Sequence, residues 1–145
     1  MIVNFISISW YNKNTMAKSN KYLVGSIPPQ VVWTIVRGDT ASFRVYVTDD
    51  AKQPLNIPDW YIEMKIKRPN STPGVITDDA TLIYTLNPTQ DGNDGNGEFT
   101  VSLTASQTNG LETGDIFDIE LSKNMDETVW TVAQGTMNIL EDVTD

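Results

Sequence analysis

The chain has 145 residues, 39% of them apolar, a length and composition suited to one domain with one core. It has no Cys and no His, which excludes disulfides, thiol nucleophiles, imidazole bases and most zinc sites. The net charge of −9 is uneven: residues 1–30 carry Lys13, Lys18 and Lys21 and no acid, while residues 31–145 carry seven basic and nineteen acidic residues. An acidic body argues against nucleic-acid binding, and no apolar run approaches the ~18 residues of a membrane span.

Residues 1–30 read as an N-terminal extended arm. MIVNFISISW has the β-branched and aromatic content of one short strand, and YNKNTMAKSNK after it is polar and patternless. The apolar start lacks a basic lead and a small-residue cleavage site, so it is not read as a signal peptide. Pro28 and Pro29 then form a stiff, extended hinge into a domain spanning residues 31–145.

VVWTIV, residues 31–36, is a strand candidate closed by a turn at Arg37-Gly38-Asp39-Thr40. Ser42 to Thr48 alternates most clearly, with Phe43, Val45 and Val47 inward and Arg44, Tyr46 and Thr48 outward. Asp49 to Pro54 reads as a polar hairpin loop, after which Leu55 and Ile57 return to the core. Trp60 to Arg68 places Ile62, Met64 and Ile66 inside. Residues 69–80, broken by Pro69, Pro73 and Gly74, are a loop. Leu82, Tyr84 and Leu86 form the next alternating strand, and DGNDGNG from Asp91 to Gly97 is a strong turn.

The stretch from Gly97 to Leu121 organises the rest. Phe99, Val101 and Leu103 face one way in a first strand, and Phe117, Ile119 and Leu121 do so in a second. Between them Thr104 caps one helical turn, Leu111 plugs the core, and Gly114 supplies a positive φ. KNMDE then turns the chain into a last strand, Val129 to Leu140, with a bulge expected at Gly135 to reset its register. About seven strands and no long helix predict an immunoglobulin-like antiparallel β-sandwich.

Four constellations invite a chemical reading. Arg37-Gly38-Asp39 is the tripeptide of integrin ligands, yet it sits where a turn needs its Gly. Asp91 to Glu98 is rich in oxygen ligands, but a calcium loop of EF-hand type starting there would need Gly at Asn96 and Glu at Ser102. The acid pairs Asp49/Asp50, Asp78/Asp79 and Glu141/Asp142 lie in loops or at the terminus, where solvated carboxylates are the default. Among the aromatics, Tyr46 and Tyr61 alternate outward and are candidates for a surface platform that stacks on sugars. No Ser lies in a Gly-x-Ser-x-Gly elbow. No catalytic, cofactor-binding or metal-binding residues are assigned, and the chain is expected not to be an enzyme.

Taken together, Arg37-Gly-Asp-Thr40, Leu103-Thr-Ala-Ser-Gln-Thr108, Leu111-Glu-Thr-Gly114 and the terminal Asp142-Val-Thr144 carry a resemblance. Residues 31–144 resemble the small immunoglobulin-like domains of tailed-bacteriophage virion proteins, particularly the N-terminal domain of baseplate upper proteins and tail-fibre attachment modules. The resemblance implies a structural protein of the phage particle, assembled in the host cytoplasm. Its partners would be other virion proteins and copies of itself, with no nucleic acid, membrane or cofactor. Assembly is expected through sheet edges and through the arm residues Ile2, Val3, Phe5, Ile6, Ile8, Trp10 and Tyr11, with Lys13, Lys18 and Lys21 adding screened attraction. A capsid decoration protein and a carbohydrate-binding or adhesion module acting on host-surface glycan are the alternatives.

Overall fold

Strict alternation in the strands sorts the apolar residues to one side of each. In the computed structural model Val31, Trp33 and Ile35 are buried while Val32 and Thr34 between them are exposed. Ile62, Met64 and Ile66, and Phe99, Val101 and Leu103, repeat the pattern. The structure describes residues 3–12, 15–23, 28, 30–49, 60–88, 97–123 and 128–143, with backbone alone for 3–12, 15–23, 48–49 and 128.

The elements in order are β1 (Val3–Asn12), β2 (Thr15–Leu23), β3 (Gln30–Val36), β4 (Ala41–Asp49), β5 (Tyr61–Pro69), β6 (Ala80–Leu86), β7 (Glu98–Leu103), α1 (Ala105–Asn109), β8 (Ile116–Lys123) and β9 (Thr128–Leu140). One sheet has the order β2-β1-β4-β7 and the other β3-β9-β8-β5-β6. The described inward residues of the two sheets form a single cluster. Trp33 of the second sheet meets Phe43 of the first edge-on at 4.5 Å and packs against Phe117 at 6.4 Å. Trp60 lies over Trp130 at 4.7 Å, closing another part of the same core. Two sheets around one core make a β-sandwich. Setting β4 and β7 against β5, β8 and β9 is the immunoglobulin distribution of strands.

Among the described residues, seven strands from Gln30 to Leu140 match the expected number, but one pairing is not antiparallel. β3 runs parallel to β9, from Gln30 opposite Gln134 to Val36 opposite Leu140. Here Gly135 has a packing role in place of the expected bulge: a Cβ on it would lie 2.1 Å from the Val31 carbonyl oxygen and 2.6 Å from the Phe117 ring. The register shift in β9 falls instead opposite Ile119/Glu120, where Val132 is the extra residue. Val132 and Ala133 are consequently both buried.

A second shift corrects β6. Ile66 pairs with Tyr84 and Lys67 with Leu82, so Ile83 is the extra residue there. Leu82 is exposed, while Ile83, Tyr84 and Leu86 pack against the core. The expectations for Asp50 to Pro54, Leu55, Ile57, the turn up to Asn96 and most of KNMDE lie outside the described residues.

The segment read as an arm carries two strands. β1 pairs antiparallel with β4, placing Ile6, Ile8 and Trp10 opposite Val47, Val45 and Phe43, the three inward positions of β4. β2 pairs with β1, Ile6 opposite Tyr22 and Trp10 opposite Lys18. A polar, patternless sequence becomes a strand because backbone groups, not side-chain alternation, supply its ladder. The partner expected in another chain is, in this structure, β4 of the same chain.

Candidate functional site

The residues of Arg37–Thr40, Leu103–Thr108 and Leu111–Gly114, which carry most of the resemblance, converge on one end of the sandwich, while Thr144 lies outside the described residues. Thr104 caps α1: its hydroxyl accepts from the Gln107 N–H at 3.2 Å, and the Gln107 side-chain oxygen accepts from the Thr104 N–H at 2.9 Å. This turn holds Thr108 buried under the 37–39 turn, where its hydroxyl accepts from the Gly38 N–H (3.1 Å) and donates to the Asp39 carbonyl (2.8 Å). Gly38 has φ +84°, a conformation that leaves room for this approach.

Two arginines tie the ends of strands to this turn. Arg37 donates to the carbonyls of Asn109 (3.0 Å) and Leu111 (2.8 Å) and to Glu141 at 3.2 Å. Arg68 grips Asp115 with two bonds, 2.8 and 2.9 Å, and donates to the Gly110 carbonyl at 3.0 Å. Asp115 is 1% exposed and also accepts from the Glu112 N–H at 2.8 Å. The bond to Asp115 holds the Arg68 guanidinium in its charged form more firmly than usual, against the opposing effect of burial. Gly114, at φ +95°, sits under Pro73 and donates to the Met137 carbonyl at 3.0 Å. Met137 N–H returns a bond to the Asp115 carbonyl at 2.7 Å.

This arrangement locks strands together. The Arg37 guanidinium is committed to carbonyls of its own chain, which favours the turn reading of Arg37-Gly38-Asp39 over presentation to a receptor. Sequence reasoning missed the Arg68–Asp115 pair. Its available signal was a carboxylate directly after the turn glycine and directly before the apolar Ile116-Phe117.

The residues expected at an assembly interface lie together on the hairpin. Val3, Phe5, Ile6, Ile8, Trp10 and Tyr11 are on β1 and Lys18 and Lys21 on β2, while Ile2 and Lys13 lie outside the described residues. The two tyrosines are not brought together. Tyr46 is on β4 and Tyr61 on β5, in opposite sheets, so they cannot form one platform. Tyr61 is 54% exposed and bonds through its hydroxyl to Asn87; Tyr46 is half-buried, its hydroxyl accepting from Arg44 at 3.5 Å. The acid pairs are likewise dispersed. Asp79 accepts from Asn70 in the loop after β5, Glu141 holds Arg37, and Asp50 lies outside the described residues.

Two hollows remain. An open cleft of about 530 Å³ runs between Trp33–Val36, the 39–42 turn and Ser102–Thr104. Thr34, Thr40, Ser42, Ser102 and Thr104 give it hydroxyls, and Asp39 is the one titratable side chain among its described lining residues. Hydroxyls and a carboxylate can hydrogen-bond a polar partner, but a lone carboxylate does not make the acid–base pair of glycoside hydrolysis. A smaller hollow of about 220 Å³ lies between β5, β8 and residues 76–78, with Lys65, Lys67, Asp78 and Asp118 in its wall. Burial pushes the Asp118 carboxyl up, with Lys67 and Lys65 pulling the other way. Lys65 is itself raised by its hydrogen bond to Glu63.

Among the described residues no group of three or more Asp or Glu is placed to hold a metal ion, and no helix is long and apolar enough to cross a membrane. The oxygen-rich stretch at Asp91 lies almost wholly outside them. Comparison with known proteins finds no matching family model and no matching curated protein.

Proposed function

We propose that this chain is a non-enzymatic structural protein of a tailed-bacteriophage virion, placed in the tail, baseplate or fibre-attachment region. The observation that carries the reading is the closed end of the sandwich. Three of the motifs on which the resemblance rests, spread from Arg37 to Gly114 in sequence, are joined there by hydrogen bonds around Arg37, Thr108, Leu111 and Gly114. They behave as a folding signature, which is what a family of small attachment domains would share.

Assembly on the particle would use the sheet ends: β2 and β7 bound one sheet, β3 and β6 the other. The acidic body keeps such a module soluble before assembly. The test is to purify phage particles from cells expressing the gene and to identify the chain by mass spectrometry and immunogold labelling. Label on the tail or baseplate is expected. Label on the head would replace this address with the decoration role, and absence from purified particles would refute the reading altogether.

A further inference from the structure

We propose that β3 pairs with β3 of a second copy of this chain, about a two-fold axis at Trp33. This names one of the sheet ends invoked above and its occupant, but it stands on the edge itself and needs no particle. β3 is a terminal strand, and among the described residues β9 is its only strand neighbour. In a parallel ladder alternate residues turn both backbone groups to the neighbour. The Arg37 N–H reaches the Leu140 carbonyl at 2.8 Å and the Val31 carbonyl lies against Gly135, so the odd-numbered residues face β9. The backbone N–H and C=O groups of Gln30, Val32 and Thr34 therefore point off the edge, as does the Val36 N–H, while the Val36 carbonyl accepts from the Asp39 N–H. Val32 is 63% exposed, and Thr34 and Val36 border the open cleft beside the strand.

Edge strands are normally blunted by charge, by bulges or by brevity. The other terminal strands follow that rule: β2 carries Lys18 and Lys21, β6 is bulged at Ile83, and β7 carries Glu98. β3 has neither device. Its seven residues pair with β9 without a shift, and none of them is charged. The outward residues of β9 beside it, Gln134, Thr136 and Asn138, are uncharged too. Such a stripe stands out in a chain of net charge −9.

A strand that fits this edge must be uncharged and must alternate in the same sense, and β3 itself meets both conditions. Antiparallel pairing about Trp33 sets Val32 opposite Thr34 on the outer face and Val31 opposite Ile35 on the core face, with Gln30 opposite Val36. Each residue whose backbone groups point off the edge then meets another such residue, and inward side chains meet inward ones. Cross-strand pairs of β-branched and aromatic residues are favourable. A strand bearing Lys or Asp at these positions would instead set its charge beside Val32 and Thr34, with no counter-charge on β3 or on the adjoining face of β9. Two-fold pairing uses the edge once in each copy, so the assembly closes at two.

Sedimentation of the full-length chain from roughly 1 µM to 1 mM should show monomer giving way to dimer. The Val32 and Thr34 amides should gain protection from exchange over the same range. Because copies of net charge −9 repel each other, added salt should strengthen the dimer. Val32 and Thr34 are both exposed, which permits a charge swap. One variant carries Val32→Lys and Thr34→Lys, another Val32→Glu and Thr34→Glu. Each alone sets like charges opposite one another and should raise the dissociation constant roughly ten-fold or more, whereas an equal mixture of the two should associate again. A monomeric mass throughout overturns the proposal, as does a dimer that salt dissolves. So does a dimer that both variants form unchanged, or one that the mixture fails to restore while each variant keeps the circular dichroism of the unaltered chain. Should the variants fail to fold, amide exchange of the unaltered chain decides: protection at Val32 and Thr34 that does not change between monomer and dimer refutes the pairing. None of these results moves the particle labelling, so the virion reading stands or falls separately.

Discussion

Phe117 lies between Trp33 and Gly135 at the middle of the core, 3% exposed. Phe117→Ala removes a buried ring that Trp33 packs against and should cost about 3–5 kcal/mol in urea unfolding. A cost below about 1 kcal/mol would contradict its burial. Asp115 and Glu141 offer a comparison of two ion pairs at one end of the molecule. Asp115 is enclosed and accepts two bonds from Arg68 and one from the Glu112 N–H, whereas the Glu141 side chain is 74% exposed. Asp115→Ala should therefore cost several times more than Glu141→Ala, whose pair belongs to the ~0–1 kcal/mol class. Equal losses in chemical denaturation would show that the buried pair adds nothing. Asp118 behaves differently. Its folded pKa is raised by burial, so ionising it costs more in the fold than in the unfolded chain. The stability it permits is fully present below the unfolded carboxyl value of about 3.9 and is lost as pH rises through the raised folded value. Asp118→Asn should accordingly stabilise the protein at pH 7, with the gain vanishing near pH 3. A gain that is equal at both pH values would assign the effect to something other than ionisation.

At the scale of elements, β3 and β9 depend on one missing side chain. The parallel pairing brings the Val31 carbonyl to where a Cβ of residue 135 would stand, 2.1 Å away. Relief would require shifting the backbone of β3 or displacing Phe117. Gly135→Ala should cost about 1–3 kcal/mol or more, as overpacking of a filled core does. Amide exchange should show the loss first in residues 31–35, the part of β3 nearest the clash. Unchanged protection there would mean that the two strands separate more easily than this packing implies. Strand β6 makes the complementary point. A single extra residue, Ile83, exposes Leu82 while keeping Tyr84 against the core, because a bulge changes which side later residues occupy.

For the whole molecule, the hairpin completes the first sheet. Without residues 1–27 that sheet would be β4 and β7 alone, with the hydrogen-bonding edge of β4 open over the core. A chain beginning at Pro28 should lose stability and associate with rising concentration, as exposed edges do. Equilibrium unfolding and light scattering of the truncated chain check this together. A truncated chain as stable and as monodisperse as the full one would show that the hairpin is an appendage. The two sheets also explain why Tyr46 and Tyr61 form no common platform. Tyr46 and Tyr61 each alternate outward correctly, yet from sheets that face opposite ways.

The strands of strictest alternation, β4, β5, β7 and β8, were readable in the sequence, as were the Thr104 cap, the buried Leu111 and the positive φ of Gly114. Each rests on neighbours within a few residues, where a period of two or a capping pattern is written locally. Partner choice is not written that way. The polar run from Thr15 to Leu23 becomes a strand through β1, and β1 belongs to the sheet through residues about forty positions away. The parallel β3–β9 pair and the bonds from Arg37 to Leu111 and Arg68 to Asp115 join residues further apart still, and the shifts at Ile83 and Val132 depend on the partner strand across the ladder. Backbone hydrogen bonds are the same for every residue type except proline, so they carry no local record of whom they join. Only closure of the core, with both sheets in place, selects among the registers those bonds would allow.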